Sequence, residues 1–226
     1  MLKTIKREVI CPNCKNTFEI KERVAINVTL DPGLKEKTLK GKIFQHTCPN
    51  CQKEVLLAND CMYHDLEKQF MVYLMLEESK QRQYTIPIGA NGLGDFGENY
   101  KLRLEKEYNG FRERIHLLDL GFNDMVFEIM RALLLAGLQE KIPEATRLFF
   151  LGVSKGEICF QVITGTQATR LVNVSFELYE RVDKIFAKFP EATEKVNALR
   201  QIDAEWLEEN HILERVKRVL DAENAK

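Results

Sequence analysis

Apolar and polar positions alternate along residues 17–30, "TFEIKERVAINVTL", and β-branched residues recur there, so the segment predicts a strand or hairpin. "DPG" at Asp31 predicts a turn, "KIFQHT" and "EVLLA" predict short strands on either side of Cys48, and "QFMVYLML" predicts a more buried one. The first 80 residues therefore read as mostly β. In "ENYKLRLEKEY", Tyr100, Leu102 and Leu104 alternate as on a strand; from Asn109 the period becomes helical. "FNDMVFEIMRALLLAG" predicts a central, mostly buried helix with Asn123 or Asp124 as its N-cap and Gly137 as its C-cap. "RLFFLGVSKGEICFQVI" predicts a hairpin turning at "SKG". Leu178, Val182, Ile185, Phe186 and Phe189 share a helix face stopped by Pro190, and Leu213, Val216 and Leu220 mark a last helix from Trp206 to Leu220.

Composition narrows the class. The 226 residues, 45% hydrophobic and 30% charged, fit one large globular domain or two small ones and exclude a disordered chain. The net charge of -1 gives no overall attraction to phosphate backbones or anionic membranes. Residues 1–60 carry 11 Lys/Arg against 7 Asp/Glu, a mildly basic end too small to signal nucleic acid by itself. The start, "MLKTIKREVICP", has no apolar run of a secretion signal, and the longest apolar run, "ALLLAGL", falls far short of a membrane span. A cytoplasmic home is expected, and in that reducing compartment six cysteines point to metal binding or thiol chemistry rather than to disulfides.

Those cysteines change the picture most. "CPNC" occurs at Cys11–Cys14 and again at Cys48–Cys51, with 33 residues between. Two thiolates at i and i+3 on a tight turn bite one metal ion, and proline after the first cysteine presets that turn. Two such pairs supply the four sulfurs of a tetrahedral structural site, so Cys11, Cys14, Cys48 and Cys51 are the expected ligands of one zinc ion, iron being the other ion these ligands suit. The long separation implies that the intervening segment holds its own strands, as in a ribbon with an extended hairpin. A thioredoxin-like dithiol would require a helix after CxxC in a βαβ setting, whereas strand-like residues follow both pairs here.

Other candidates carry less. Cys61 and His64 in "CMYHD" have ligand types and could form a second site, but a turn at His64 and Asp65 with a hydrogen-bonded histidine is the preferred reading. His46 is placed either to support a thiolate or to face solvent, Cys159 reads as a small core hydrophobe, and His116 and His211 lack identifiable partners. Gly92, Gly94 and Gly97 spell GxGxxG, yet strand-like residues follow where a helix is needed, and Asp95 and Glu98 would repel phosphate, so no nucleotide is expected. The chain has no GxSxG, HExxH or P-loop from which to build an enzyme.

The succession of "CPNC", "INVTLDPGLKEKTLKGKIFQHTCPNC", "MYHD" and "FRERIHLLDLGFNDMVFEIM" resembles the CpXC domain proteins, a bacterial and archaeal family named for two Cys-Pro-X-Cys motifs, over residues 8–138. The resemblance implies a metal-binding module with Cys11, Cys14, Cys48 and Cys51 as the shared cysteines, and nothing catalytic. Lys15 and Gln52 stand where many ribbon knuckles place glycine, so a different turn geometry is expected there. Cys61 precedes the Tyr63-His64-Asp65 triplet where an apolar residue or proline would be expected.

The fold expected is α+β: a β-rich zinc-ribbon-like module over 1–88 packed on an α+β region over 98–226 with a central buried helix, a β-hairpin and C-terminal helices. The function expected is binding, with a structural zinc organising a platform for another protein and the charged helix from Glu208 to Lys217 assisting. Two alternatives are a nucleic-acid-associated ribbon using Lys35, Lys37, Lys40 and Lys42, and an enzyme whose site forms only in the fold.

Overall fold

The computed structural model describes residues 4–76, 100–192 and 199–224. The expected boundary between 88 and 98, and the stretch holding Gly92, Gly94 and Gly97, lie outside those residues. Within them the chain is α+β and divides at Asp119/Leu120 into two compact units, the first of which also takes in a short returning strand near residue 200.

In the first unit each CPNC forms the bend of an antiparallel hairpin. Strands β1 (Thr4–Ile10) and β2 (Thr17–Arg23) flank the first, and β4 (Gln45–Thr47) and β5 (Glu54–Leu56) flank the second. Strand β1 has no apolar signature because it lies almost wholly exposed. The segment between the knuckles does not extend either hairpin, as its length suggested. It enters a different sheet through β3 (Ala25–Asn27) and then forms helix α1 (Gly33–Leu39). "DPG" is thus a helix start: the fixed φ of Pro32 suits the first turn, and Leu34 and Thr38, one turn apart, are buried.

The receiving sheet has five strands in the order β12-β8-β7-β6-β3, formed by β6 (Cys61–Asp65), β7 (Phe70–Leu74), β8 (Lys101–Glu105) and β12 (Leu199–Arg200) with β3. Only β6 and β7 pair antiparallel. All five residues of β7 are buried. Phe70, Val72 and Leu74 join Phe111 and Ile115 of helix α2 (Tyr108–Asp119) in one core, while Met71 and Tyr73 join Tyr100 and Leu102 on the other face. Burial on both faces explains the unbroken apolar run. The turn expected at His64–Asp65 falls later: β6 continues through Asp65, and Gln69, with φ 55°, closes the bend.

The second unit centres on a meander of β9 (Ala145–Ser154), β10 (Glu157–Thr164) and β11 (Gln167–Ser175). The "SKG" bend forms as expected, with Lys155 and Gly156 both at positive φ, which matches the twist of a two-residue hairpin. Strand β11 lies at the sheet's edge and is mostly exposed, Leu171 being 64% accessible, so no inward alternation announced it. Helix α3 (Asp124–Gln139) begins at Asn123, whose Oδ1 accepts the Met125 N–H at 3.2 Å. It is buried from Asp124 to Arg131 and half-buried to exposed beyond. Gly137 does not cap it; the helix runs on to a cap at Glu140, because the backbone at residue 137 stays helical.

Helix α4 (Phe176–Phe186) buries Val182, Ile185 and Phe186, and Pro190 opens a 3-10 turn after it. The single last helix expected is two, α5 (Ala204–Glu209) and α6 (Ile212–Asn224), because His211 takes φ 50° and Asn210 Nδ2 occupies the Trp206 carbonyl at 2.8 Å. Phe122 meets Phe127, Phe150, Phe176 and Tyr179 at centroid distances of 5.4, 5.9, 6.0 and 5.0 Å, an aromatic knot that ties helices to sheet. No helix among the described residues is long and apolar enough to cross a membrane.

Candidate metal centre

The two knuckles follow one hydrogen-bond plan. In the first, the Lys15 N–H donates to the Cys11 carbonyl (2.9 Å) and the Cys11 N–H to the Asn16 carbonyl (2.9 Å). In the second, the Gln52 N–H donates to the Cys48 carbonyl (2.9 Å) and the Cys48 N–H to the Lys53 carbonyl (3.0 Å). The side chains match too, Lys15 Nζ reaching the Pro12 carbonyl and Gln52 Nε2 that of Pro49. Lys15 and Gln52 have φ of 62° and 57°, so the departure from glycine does not change the turn. Both take up the left-handed conformation that glycine adopts at lower cost.

This plan aims all four sulfurs at one point. The Sγ atoms of Cys11, Cys14, Cys48 and Cys51 lie within 4.8 Å of one another, and they are the one group of three or more potential His, Cys, Asp or Glu ligands found among the described residues. Cys11 Sγ is 3.8 Å from Cys51 Sγ and Cys14 Sγ is 3.6 Å from Cys48 Sγ. A tetrahedron with metal–sulfur bonds of about 2.3 Å has edges of about 3.8 Å. These four sulfurs could hold a metal ion.

The surroundings suit thiolates unequally. Cys11 and Cys48 are 0% exposed against Val55, whereas Cys14 and Cys51 are half-buried. The Asn16 backbone N–H and the Asn50 amide, whose Nδ2 lies 3.6 Å from the sulfur, draw the Cys14 thiol down to about 6. The Lys53 backbone N–H lowers Cys51, with help from the Asn13 side chain. For Cys48 the Cys51 N–H pulls downward, but burial and the neighbouring Cys11 and Cys14 thiols push it up to about 11. Lys53 Nζ donates to Asn13 Oδ1 at 3.0 Å, which turns the Asn13 amide nitrogen toward Cys51. Each knuckle's asparagine thus serves the other's second cysteine, a role that a pattern of cysteines alone could not reveal.

A family model described as CpXC protein matches residues 9–131, more than half of the chain and all four of these cysteines. The chain belongs to the CpXC family. No curated protein and no solved structure matched it. The CpXC match takes in most of the first unit, up to Asp119, but not its returning strand near residue 200, and ends inside α3 at Arg131.

The remaining candidates are placed elsewhere. Cys61 and His64 sit at odd and even positions of β6 and point to opposite faces, so they do not form a ligand pair. Burial raises the Cys61 thiol far above its ordinary value. His64 Nε2 hydrogen-bonds the Tyr100 hydroxyl, and burial holds the imidazole below its ordinary value. His46 is half-buried on β4 and depressed by burial, with Glu22 as its charged neighbour, and makes no hydrogen bond to a sulfur. Cys159 is a free thiol on β10. Lys35 is held at 3.1 Å by Asp65 and at 2.7 Å by Asp119, and Lys40, the C-cap of α1, pairs with Glu36; Lys37, Lys40 and Lys42 are the exposed cations of the lysine-rich stretch.

Proposed function

We propose that this CpXC protein is a binding module of the cytoplasm in which one structural zinc ion, held by Cys11, Cys14, Cys48 and Cys51, fixes a zinc-ribbon-like end that docks another protein. The observation that carries this reading is the convergence of two knuckles, 33 residues apart in sequence, on one four-sulfur point with tetrahedral spacing. Zinc suits a redox-silent, all-thiolate tetrahedral site whose role is to close a fold. Hairpins as short as β4–β5, with three residues per strand, need such a staple. The site closes on four protein ligands and so leaves the ion no open position for substrate, which favours a structural over a catalytic role.

Two measurements test this. Metal analysis of the purified chain is expected to give one zinc per chain, and Cys14→Ser or Cys51→Ser to reduce it to background. Affinity capture from the native cell, run with wild type and Cys14→Ser in parallel, is expected to retain a protein partner that the variant loses. Equal capture by both would remove the role of the metal in docking.

A further inference from the structure

The hairpin of β1 and β2 forms a sheet of its own, and β1 has no neighbour on its other side among the described residues. Six of its seven residues are exposed, Ile5 at 44% and Ile10 at 64% among them. A two-stranded sheet with little buried surface is marginal in water, and an open edge offers a row of unpaired N–H and C=O groups to any strand that fits it.

The charges on the hairpin select the strand. Its register places Lys6 opposite Lys21 and Glu8 opposite Glu19, so a row of two cations lies beside a row of two carboxylates. Like charges set directly opposite each other weaken the pairing they sit in. Among the described residues one diagonal contact relieves them, Lys6 Nζ to Glu19 Oε1 at 2.8 Å, while Glu8 and Lys21 have no ion partner.

We propose that β1 is a self-association edge, pairing antiparallel with β1 of a second copy of this chain about a two-fold axis at Arg7. The two hairpins then join into one sheet in the order β2-β1-β1-β2. Lys6 stands opposite Glu8 of the second copy, and each lysine row runs on into a glutamate row across the junction. Ile5 faces Val9 of the second copy and Ile10 faces Thr4, so all seven residues are matched. Arg7 meets Arg7 at the axis, but each guanidinium is already held by its own Glu22, whose side chain is 4% exposed. Moving the axis one residue either way sets Lys6 against Lys6 or Glu8 against Glu8 and loses both unlike pairs.

A lone lysine on an edge strand keeps other strands away; with a glutamate two residues further on, it becomes half of a self-complementary pair. The exposed edge strand β11 lacks this, because its one charge, Arg170, finds no carboxylate on the same strand. A net charge of -1 per chain leaves the approach of two copies almost unopposed. The inference stands on the hairpin and is independent of which ion the cysteines hold.

The test is sedimentation velocity of the full chain, purified with zinc supplied, over a dilution series reaching the solubility limit, with zinc content and urea midpoint measured on the same samples. A seven-residue edge is a small interface, so a dimer that dissociates in the micromolar range is expected. Lys6→Glu alone and Glu8→Lys alone each set like charges opposite each other across the axis, and each should raise the dissociation constant roughly tenfold. Mixing the two single variants, or combining both changes in one chain, restores the unlike pairs and should return association to near the wild-type value. A wild-type chain that is monomeric throughout the series overturns the proposal and leaves the edge to a strand of another protein. Dimers indifferent to the single reversals overturn it as well, as do single variants that fail to recover on mixing and on combination. An intact, charge-dependent dimer without zinc would contradict the metal reading and leave this one standing.

Discussion

At the scale of single residues, the backbone sets the knuckles more tightly than the side chains do. Lys15 and Gln52 accept a left-handed conformation, and each returns a hydrogen bond to a proline carbonyl that glycine could not make. Gln52→Gly should therefore bind metal within a few-fold of wild type, whereas Gln52→Val, whose branched Cβ resists positive φ, should bind roughly tenfold more weakly, about 1–2 kcal/mol. Competition against a zinc chelator of known strength reads both. Asp119 lies outside the four-cysteine cluster. Burial would raise its carboxyl, but hydrogen bonds from Lys35 and Lys68 outweigh it and hold the group below its ordinary value. A carboxylate with a folded-state pKa below its unfolded one contributes stability above the unfolded value and loses it as pH falls through the folded value. Asp119→Asn should be less stable than wild type at pH 7 and should lose less stability between about pH 5 and pH 3, as urea titrations at each pH would show.

At the scale of elements, the legible ones had a strong period or a strong punctuation. The start of α3 was readable because Asn123 precedes an apolar run, and its cap is made as expected. Its end was not, because Gly137 looks like a stop in sequence but keeps out of the left-handed region, and the helix carries it at a cost of about 1 kcal/mol. Strands β1 and β11 escaped because strands with little buried surface carry no alternation, and β12 because two residues pairing with Leu102 and Arg103 leave no local signal at all. The four cysteines were legible as a set because spacing within each pair is local, while the helix between the knuckles was hidden in a "DPG" that also spells a turn. Asn123→Ala should destabilise the second unit by about 1 kcal/mol, the usual value of a lost N-cap, seen as a lower urea midpoint with an unchanged slope.

At the scale of the whole molecule, the four sulfurs tie together two hairpins that bury little else, while the five-stranded sheet with α2, and the helices α3 to α6, each have an apolar core containing none of the site. Chelation should therefore speed amide exchange across residues 4–23 and 45–56 and leave β7 and the first half of α3 protected. Uniform loss of protection would instead mean that the metal holds up the entire chain. X-ray absorption at the zinc edge of the purified protein reads the ligands of the four-cysteine site directly. The expected spectrum has four sulfur neighbours at about 2.3 Å and no light-atom ligand, as a closed all-thiolate zinc site requires. A first shell containing nitrogen or oxygen, or a folded chain with no bound metal, would contradict it.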